Sequence, residues 1–391
     1  MNHIALVIDA IGSYGSGLLR GVARFAHTHP NWTVEYQPWL EEESLPTWLS
    51  RGKFQGVLCR IRNPRHFAML QRLRVPIVDL GSLEPPKNIG NIHSDHGVIA
   101  QLAAEHLIQC GMHVFAYCGF AAQRASETRA AAFQSYLTGK GFNVLTFIGH
   151  ASRDVALRRV PGWRSSLDYK TLLPWLKGLP KPVGIMACND ICGRLVLAGC
   201  HQVGIRVPEE IVLVGVDNDE TLCELAVPTM TSVDPAADRI GFDAAELLDK
   251  MIADGKVPTA SVLVPPAGII ARTSTDIIAV SDPVVAKALR YIREYTGKGL
   301  TVEKVLDYLS EQHMLVSRST LERRFLAMSG FSPYDEINRV RLERIERLLR
   351  NTQYPLTRIA ELTGFGAVSH LMRFFKRYRG QTPGNFRRAS T

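Results

Sequence analysis

Between Val368 and Tyr378, one helical face would carry Ser369, His370, Arg373, Lys376 and Arg377, three fixed cations with two hydrogen-bonding side chains. The opposite face carries Leu371, Phe374, Phe375 and Tyr378 at i, i+3, i+4 and i+7, a stripe that buries one side of a helix. A helix that is apolar behind and basic in front can lie against a polyanion and reach its hydrogen-bonding edges. A second polar set follows short apolar runs far upstream. Asp9 follows Ile4-Ala-Leu-Val-Ile8, Asn189 and Asp190 follow Ile185-Met-Ala187, and Asp217-Asn-Asp-Glu220 follows Val212-Leu-Val-Gly-Val216. A recessed Asp accepts from two sugar hydroxyls, Asn both donates and accepts, and Arg forks across neighbouring hydroxyls. The bland alternative for Asn189 or Asp190 is the cap of the helix that follows. The chain thus holds one set of side chains suited to nucleic acid and another suited to a polyol.

The basic set needs a rigid mount. Upstream of it, Ile359, Ala360 and Leu362 give a short helix one apolar face, and Gly364 permits a tight turn. Short helix, glycine turn and basic helix read as a helix-turn-helix. An earlier copy of the plan has apolar residues at 302, 305, 306 and 309, then Ser317 as N-cap of Arg318-Ser-Thr-Leu-Glu-Arg-Arg-Phe325. Pro333 opens a long helix, about 335–350, with Leu342, Ile345, Leu348 and Leu349 on one side. Glu343–Arg347 and Glu346–Arg350 are its expected i,i+4 pairs. It reads as a strut between two reading units. Charge agrees: from Pro283 onward there are 20 Lys and Arg against 10 Asp and Glu, whereas residues 1–282 carry 26 against 27. A basic module joined to a near-neutral one meets a polyanion while the rest does something else.

Ile359-Ala360-Glu-Leu-Thr-Gly364-Phe365, with Phe375-Lys376, Gly380, Thr382-Pro383 and Phe386-Arg387, resembles the DNA-binding domain of the AraC-type transcription regulators. The resemblance covers 283–388 and implies two helix-turn-helix units set in adjacent major grooves, about 34 Å apart. It places Ser319, Glu322 and Arg323 of the first unit and Val368, Ser369, His370 and Arg373 of the second toward bases. Arg suits the guanine edge, Glu accepts from cytosine, and Val packs on a thymine methyl. Against this, Glu322 can simply pair with a neighbouring Arg, and Arg373 can meet phosphate. One departure stands out: from Asp307 to Ser317 the chain is about five residues longer than the family's turn and lacks its glycine. Ser310–Val316 must therefore be an enlarged turn or an extended helix.

In the first 270 residues, apolar runs at 4–8, 32–36, 56–59, 77–80, 114–117, 184–187 and 211–216 alternate with amphipathic stretches such as 95–110, 127–139 and 189–203. That alternation predicts an α/β fold of parallel sheets flanked by helices, with ligands outside the carboxyl ends of the strands. Asp95 to Gly111, Thr128-Arg129-x-x-x-Phe133, Val214-Gly-Val-Asp217-Asn218 and Pro228-Thr-Met-Thr-Ser-Val-Asp-Pro235 resemble the sugar-binding core of LacI-type regulators and periplasmic binding proteins. The resemblance implies a two-lobed core with Asp9, Tyr14, Arg129, Asn189 and Asp217 around the ligand, and a sensor-first, reader-last order. Together with Arg124, Val264-Pro-Pro266, Ser274-Thr-Asp276 and Asp282-Pro283, the chain is similar to regulators of pentose utilisation, which implies D-xylose as ligand, operator DNA as partner and an activator's output.

The expected organisation is a core at 1–272, a linker at 273–283 and an all-α reader with two helix-turn-helix units at 284–391. The core's lobes are expected to be 1–112 with 233–257, and 113–232 with 258–272. A homodimer is expected, with RNA polymerase as a further candidate partner. Gly12-x-x-Gly15-x-Gly17 lacks dinucleotide-binding spacing, and Tyr36-Gln-Pro-Trp39 stands where an acidic residue would bind ribose. Neither Gly-x-Ser-x-Gly nor His-Glu-x-x-His occurs. Seven cysteines include no C-x-x-C; Cys188, Cys192 and Cys200 read as small buried thiols and not as a zinc site. No cofactor and no catalysis are expected, and the absence of a leader or long apolar run points to the cytoplasm. The alternative is a regulator of another sugar or polyol, and more distantly a sugar-metabolising enzyme.

Overall fold

The computed structural model describes residues 1–10, 12–38, 45–61, 64–81, 87–149, 168–258, 260–276, 282–295, 299–329, 331–352 and 354–389. The chain divides into two units, Met1–Ile277 and Ile278–Thr391.

The first unit begins β1 (Asn2–Ile8), α1 (Gly12–Thr28), β2 (Trp32–Tyr36), β3 (Gly56–Arg60), α2 (Pro64–Gln71), β4 (Ile77–Asp79) and β5 (Gly90–Ser94). It continues α3 (His96–Gln109), β6 (Phe115–Phe120), α4 (Arg124–Gly139), β7 (Val144–Gly149), α5 (Tyr169–Gly178), β8 (Val183–Ala187), α6 (Asp190–Gln202), β9 (Ile211–Val216), α7 (Glu220–Leu225) and β10 (Thr231–Asp234). It ends α8 (Ala237–Asp254), β11 (Val262–Val264) and β12 (Gly268–Ile270). Among the described residues two six-stranded sheets result, in the orders β11-β5-β4-β3-β1-β2 and β12-β10-β9-β8-β6-β7. Every pairing is parallel except β10 with β12. Both faces of β1 are buried, Ile4, Leu6 and Ile8 under α1 and α8, Ala5 and Val7 toward Phe67 and Leu70 of α2. That is why the strand reads as a continuous apolar run and not as an alternation. Helices α1 and α8 approach so closely that a Cβ on Gly21 would lie 2.0 Å from the Asp238 carbonyl, and one on Gly241 would lie 2.0 Å from that of Leu18.

Among the described residues the chain passes between the sheets three times, and two of the passages lie away from where the sequence placed them. Ile99, Ala100, Ala103, Ala104 and Leu107 of α3 pack with the second sheet's core, so the first passage is at Ser94–Asp95 and not near 112. β10 stays in the second sheet through Asp234, so the second follows it, about two residues past the expected lobe boundary and near the expected 232. β11 pairs with β5 of the first sheet, so the third lies at Pro265–Ala267 and not near 258. Two prolines there supply no N–H to either ladder, which lets the chain leave one sheet for the other. The linker also starts later than expected. Ser274 Oγ donates to the Leu213 carbonyl at 2.7 Å and accepts from Thr231 N at 2.9 Å, while Thr275 Oγ1 meets His106 Nε2 at 2.8 Å. Residues 273–276 are stitched into the core, and 277–281 lie outside the described residues.

Among its described residues the second unit has seven helices: α9 (Pro283–Tyr295), α10 (Val302–Glu311), α11 (Arg318–Ser329), α12 (Pro333–Asn351), α13 (Leu356–Leu362), α14 (Val368–Arg379) and α15 (Pro383–Ala389). Two small cores form. Val285, Leu289, Val305, Leu309, Leu321, Phe325 and Ile337 make one; Ile345, Leu349, Ile359, Leu371 and Phe375 make the other. α12 serves both, the role expected of a strut. Its N-terminus is a capping box of Ser332 and Asp335 with Pro333 in the first turn. The expected partners Arg347 and Arg350 have side chains outside the described set; Glu343 accepts from Arg339 at 2.6 Å, and Glu346 from Arg379. The long segment after Asp307 does both things expected of it. α10 runs on to Glu311, and His313 then takes a left-handed φ of 59° in a turn that has no glycine.

Candidate functional site

The carboxyl ends of the strands bring polar groups from both lobes together. From the first lobe come Asp9, buried just past β1; Tyr14, in the first turn of α1; Arg60, the last residue of β3; and Ser94, the last of β5. Tyr14 Oη lies 3.1 Å from Ser94 Oγ, and the Arg60 guanidinium lies 4.9 Å from the Tyr14 ring centroid. Burial raises the Tyr14 phenol while Arg60 pulls it down, so the hydroxyl stays a neutral donor and acceptor. Cation and ring together make a flat wall, a kind of surface that suits the apolar face of a sugar.

From the second lobe comes Arg129 of α4, only 5% exposed. Its Nε donates to His96 Nδ1 at 3.2 Å, its Nη1 to the Cys188 carbonyl, and its Nη2 stands 3.9 Å from Asp217 Oδ1. Burial, then Arg129, then His93 drive His96 down to about 2, so its ring is neutral with the proton on Nε2. Asp217 follows β9 with φ 110°, a left-handed backbone that an Asp seldom adopts and that points to a functional constraint. Burial lifts its carboxyl to about 6, against the pull of Arg129 from its own lobe and Arg60 from the other. The two halves of the unit therefore converge electrostatically on Asp217.

Asn189 has its oxygen committed. Cys192 N donates to Asn189 Oδ1 at 2.9 Å, the helix cap that was the alternative reading, so a ligand would meet only its amide N–H donors. Asp190 is sealed beneath the site. It accepts from Ser232 Oγ at 2.6 Å, Asp219 N at 2.7 Å and Cys223 Sγ at 3.4 Å. Burial, with Asp217 nearby, raises it to about 8, so it is largely protonated at neutral pH and braces the Asp217 loop. Asp219 in turn caps α7 and accepts from Ser13 N of the first lobe at 3.3 Å. Arg60, Ser94 and His96 were not singled out from sequence. Arg60 and Ser94 obey the same end-of-strand rule as Asp9 and Asp217 and were findable by it. Cys188, Cys192 and Cys200 are buried thiols, and no group of described side chains is arranged to hold a metal ion.

On the reader, Ser319 and Arg323 of α11 are exposed, and Ser317 Oγ caps the helix by accepting from Thr320 N at 3.2 Å. Glu322 accepts from Arg318 Nε at 3.0 Å, the neighbouring-arginine pairing, so a base would have to compete for it. On α14, Ser369, His370 and Arg373 stand exposed on one face. Val368 is different: it packs against the second small core, on the stripe of Leu371 and Phe375. No described helix is long and apolar enough to cross a membrane.

Comparison with known proteins agrees with this division. A model of periplasmic binding protein-like domains matches residues 104–275, and one of helix-turn-helix domains matches 312–389. The chain is 28% identical to the xylose operon regulatory protein of Escherichia coli K12 over 99% of its own length and 97% of that protein. It is 27% identical to the protein of that name from Haemophilus influenzae, over 98% and 97%. Among solved structures, a xylose-binding transcription activator aligns with TM-score 0.75 at 27% identity, covering 100% of this chain and 98% of that one. A ribose-bound LacI family regulator from Enterococcus faecalis aligns with TM-score 0.55 at 19% identity over 70% of this chain and 98% of its own, a likeness of fold.

Proposed function

We infer, for a chain that is a helix-turn-helix transcription regulator of the xylose-operon type, that D-xylose binds between the two lobes of the first unit and controls how the second unit engages operator DNA. The observation that carries the reading is the convergence of Arg129 from one lobe and Arg60 from the other on the carboxylate of Asp217. A pentose inserted there meets an acceptor for two hydroxyls in Asp217, donors in Arg129 and Asn189, a further acceptor in Asp9, and a flat wall at Tyr14. Ser319, Glu322 and Arg323 on α11, and Ser369, His370 and Arg373 on α14, read bases, with Val368 supporting α14 from the core side. The full-length relatives are transcription regulators, which supports a binding protein over an enzyme.

A sugar shifts DNA binding only by favouring one arrangement over another. The arrangement we assign is lobe closure within a homodimer, presenting two readers to a repeated operator with RNA polymerase as the activated partner. Thermal unfolding of the whole chain with D-xylose, L-arabinose, D-ribose and D-glucose tests the input. A sugar at one hundred times its dissociation constant adds about 2.7 kcal/mol to the first unit, a rise of a few degrees. A rise with another of these sugars and not with D-xylose withdraws the xylose assignment; a rise with none removes the cleft as a sugar site.

A further inference from the structure

The second unit contains a cleft of about 420 Å³, lined by none of the base-facing candidates of α11 and α14. Thr301 and Glu303 at the start of α10, Arg318 at the start of α11, Tyr334 and Arg341 of α12, and Gly364 ahead of α14 line it. Its arginines differ sharply. Arg318 is satisfied, donating to Glu303 at 2.6 Å and to Glu322 at 3.0 Å. Arg341 has no carboxylate among the described residues. Its Nη2 donates to the Leu300 carbonyl at 3.1 Å and its guanidinium lies 5.3 Å from the Phe365 ring centroid. Its Nε is buried with no hydrogen-bond acceptor. A buried, unmatched guanidinium N–H is costly, and the fork of arginine matches a phosphate. The one carboxylate in the cleft, Glu303, is already held by Arg318, so the cleft carries an uncompensated cation.

The position of the cleft says which phosphate. Arg318 is the first residue of α11 and Gly364 lies in the turn before α14, so the cleft opens between the leading ends of the two recognition helices. Helices in successive major grooves leave the intervening minor groove, with its bordering phosphate strands, facing that gap.

We propose that this cleft seats a phosphate of the DNA backbone between the two major grooves, held by the Arg341 guanidinium, which turns its buried, unmatched Nε–H to the phosphate as the DNA docks. The inference rests on the DNA-binding reading of α11 and α14. Such a contact positions the reader and carries no sequence information. The same arginine bonds the first helix-turn-helix unit at Leu300 and stacks on the second at Phe365, so a phosphate held there fixes both units to one stretch of backbone.

The test uses the whole chain and a duplex that it selects from a random library. Arg341→Gln is expected to weaken selected and scrambled duplexes alike by about tenfold, leave their ratio unchanged, and lower the slope of log affinity against log salt by about 0.9. A methylphosphonate scan of the selected duplex should find one or two positions, between the groove contacts, where removing charge weakens the wild type. Those positions should have no further effect on the variant. If circular dichroism finds Arg341→Gln unfolded, Arg341→Lys carries the comparison, keeping the charge and losing the Nε donor; it should keep the salt slope and still lose affinity. Equal methylphosphonate sensitivity of wild type and variant at every position overturns the assignment. Failure of the wild type to bind any duplex overturns the DNA-binding reading instead.

Discussion

On the proposed placement of Asp217 against the sugar, affinity should depend on pH in a window that the residue's surroundings set. Its carboxyl lies at about 6 in the free protein, raised from 3.8 by burial and by Asp219 and Asp234, and lowered by Arg129 and Arg60. Sugar hydroxyls donate to the charged form, so binding returns the group toward the ordinary range and releases a proton. At pH 5 the free carboxyl is about ten parts protonated to one ionised, so the affinity should be about tenfold weaker than at pH 7.5, roughly 1.4 kcal/mol. The sign for stability is opposite. A carboxyl raised on folding binds more protons in the folded state, so the sugar-free first unit loses stability as pH rises from about 4 to 6. Titration calorimetry with D-xylose at pH 5.0, 6.0 and 7.5, in two buffers of different ionisation enthalpy, reads affinity and proton release together. Asp217→Asn should bind weakly with no pH dependence, and Asp190→Asn should keep the wild-type dependence, because the Asp190 carboxyl faces Ser232, Cys223 and the Asp219 amide instead of a ligand. An affinity equal at pH 5.0 and 7.5 with no proton release would refute the placement of Asp217 against the sugar.

Other substitutions separate the roles of neighbouring groups. Arg373→Ala should cost roughly 1–3 kcal/mol at one operator position in a binding-site selection, and a loss uniform across sequences would reassign it to phosphate. Asn189→Ala should destabilise the first unit by about 1 kcal/mol in urea, whereas Asn189→Asp keeps the cap. Since Asp lacks the amide donors, a sugar affinity unchanged in Asn189→Asp removes the side chain from the site. Gly21→Ala drives a methyl into the Asp238 carbonyl and should cost about 3 kcal/mol, read as a lowered urea midpoint for the first unit with the second unchanged.

Periodicity made the elements legible because both sheets bury two faces and each reader helix buries one. It also held information that a motif overrode. Val368 lies three residues before Leu371 and seven before Phe375, on the buried stripe, so its spacing alone places it against the core. What periodicity lacks is direction in space. Residues 95–110 read as a helix, yet nothing in their order says that α3 leaves the first sheet and covers the second. Nor does a polar residue at a strand end declare which of its atoms is already committed. Asn189 reads the same whether its oxygen meets a hydroxyl or Cys192 N, and Asp190 the same whether it faces the cleft or Ser232.

The first passage between the lobes is where sensing and movement meet. Ser94, Asp95 and His96 are consecutive, with Asp95 capping α3 by accepting from Val98 N at 3.0 Å. Ser94 lies against the Tyr14 hydroxyl of one lobe, and His96 accepts from Arg129 of the other. Two expected ligand contacts, one from each lobe, therefore end on residues two apart in a segment that must bend for the lobes to move. His96 can receive that arginine because it is neutral, and it is neutral because it is buried beside it. A sugar that draws Arg129 and Tyr14 toward Asp217 pulls on both sides of this segment at once. On the proposed reading, coupling then needs no long chain of contacts within the first unit, since Tyr14 and Arg129, the expected ligand contacts, are bonded directly to the strand-to-helix step between the lobes.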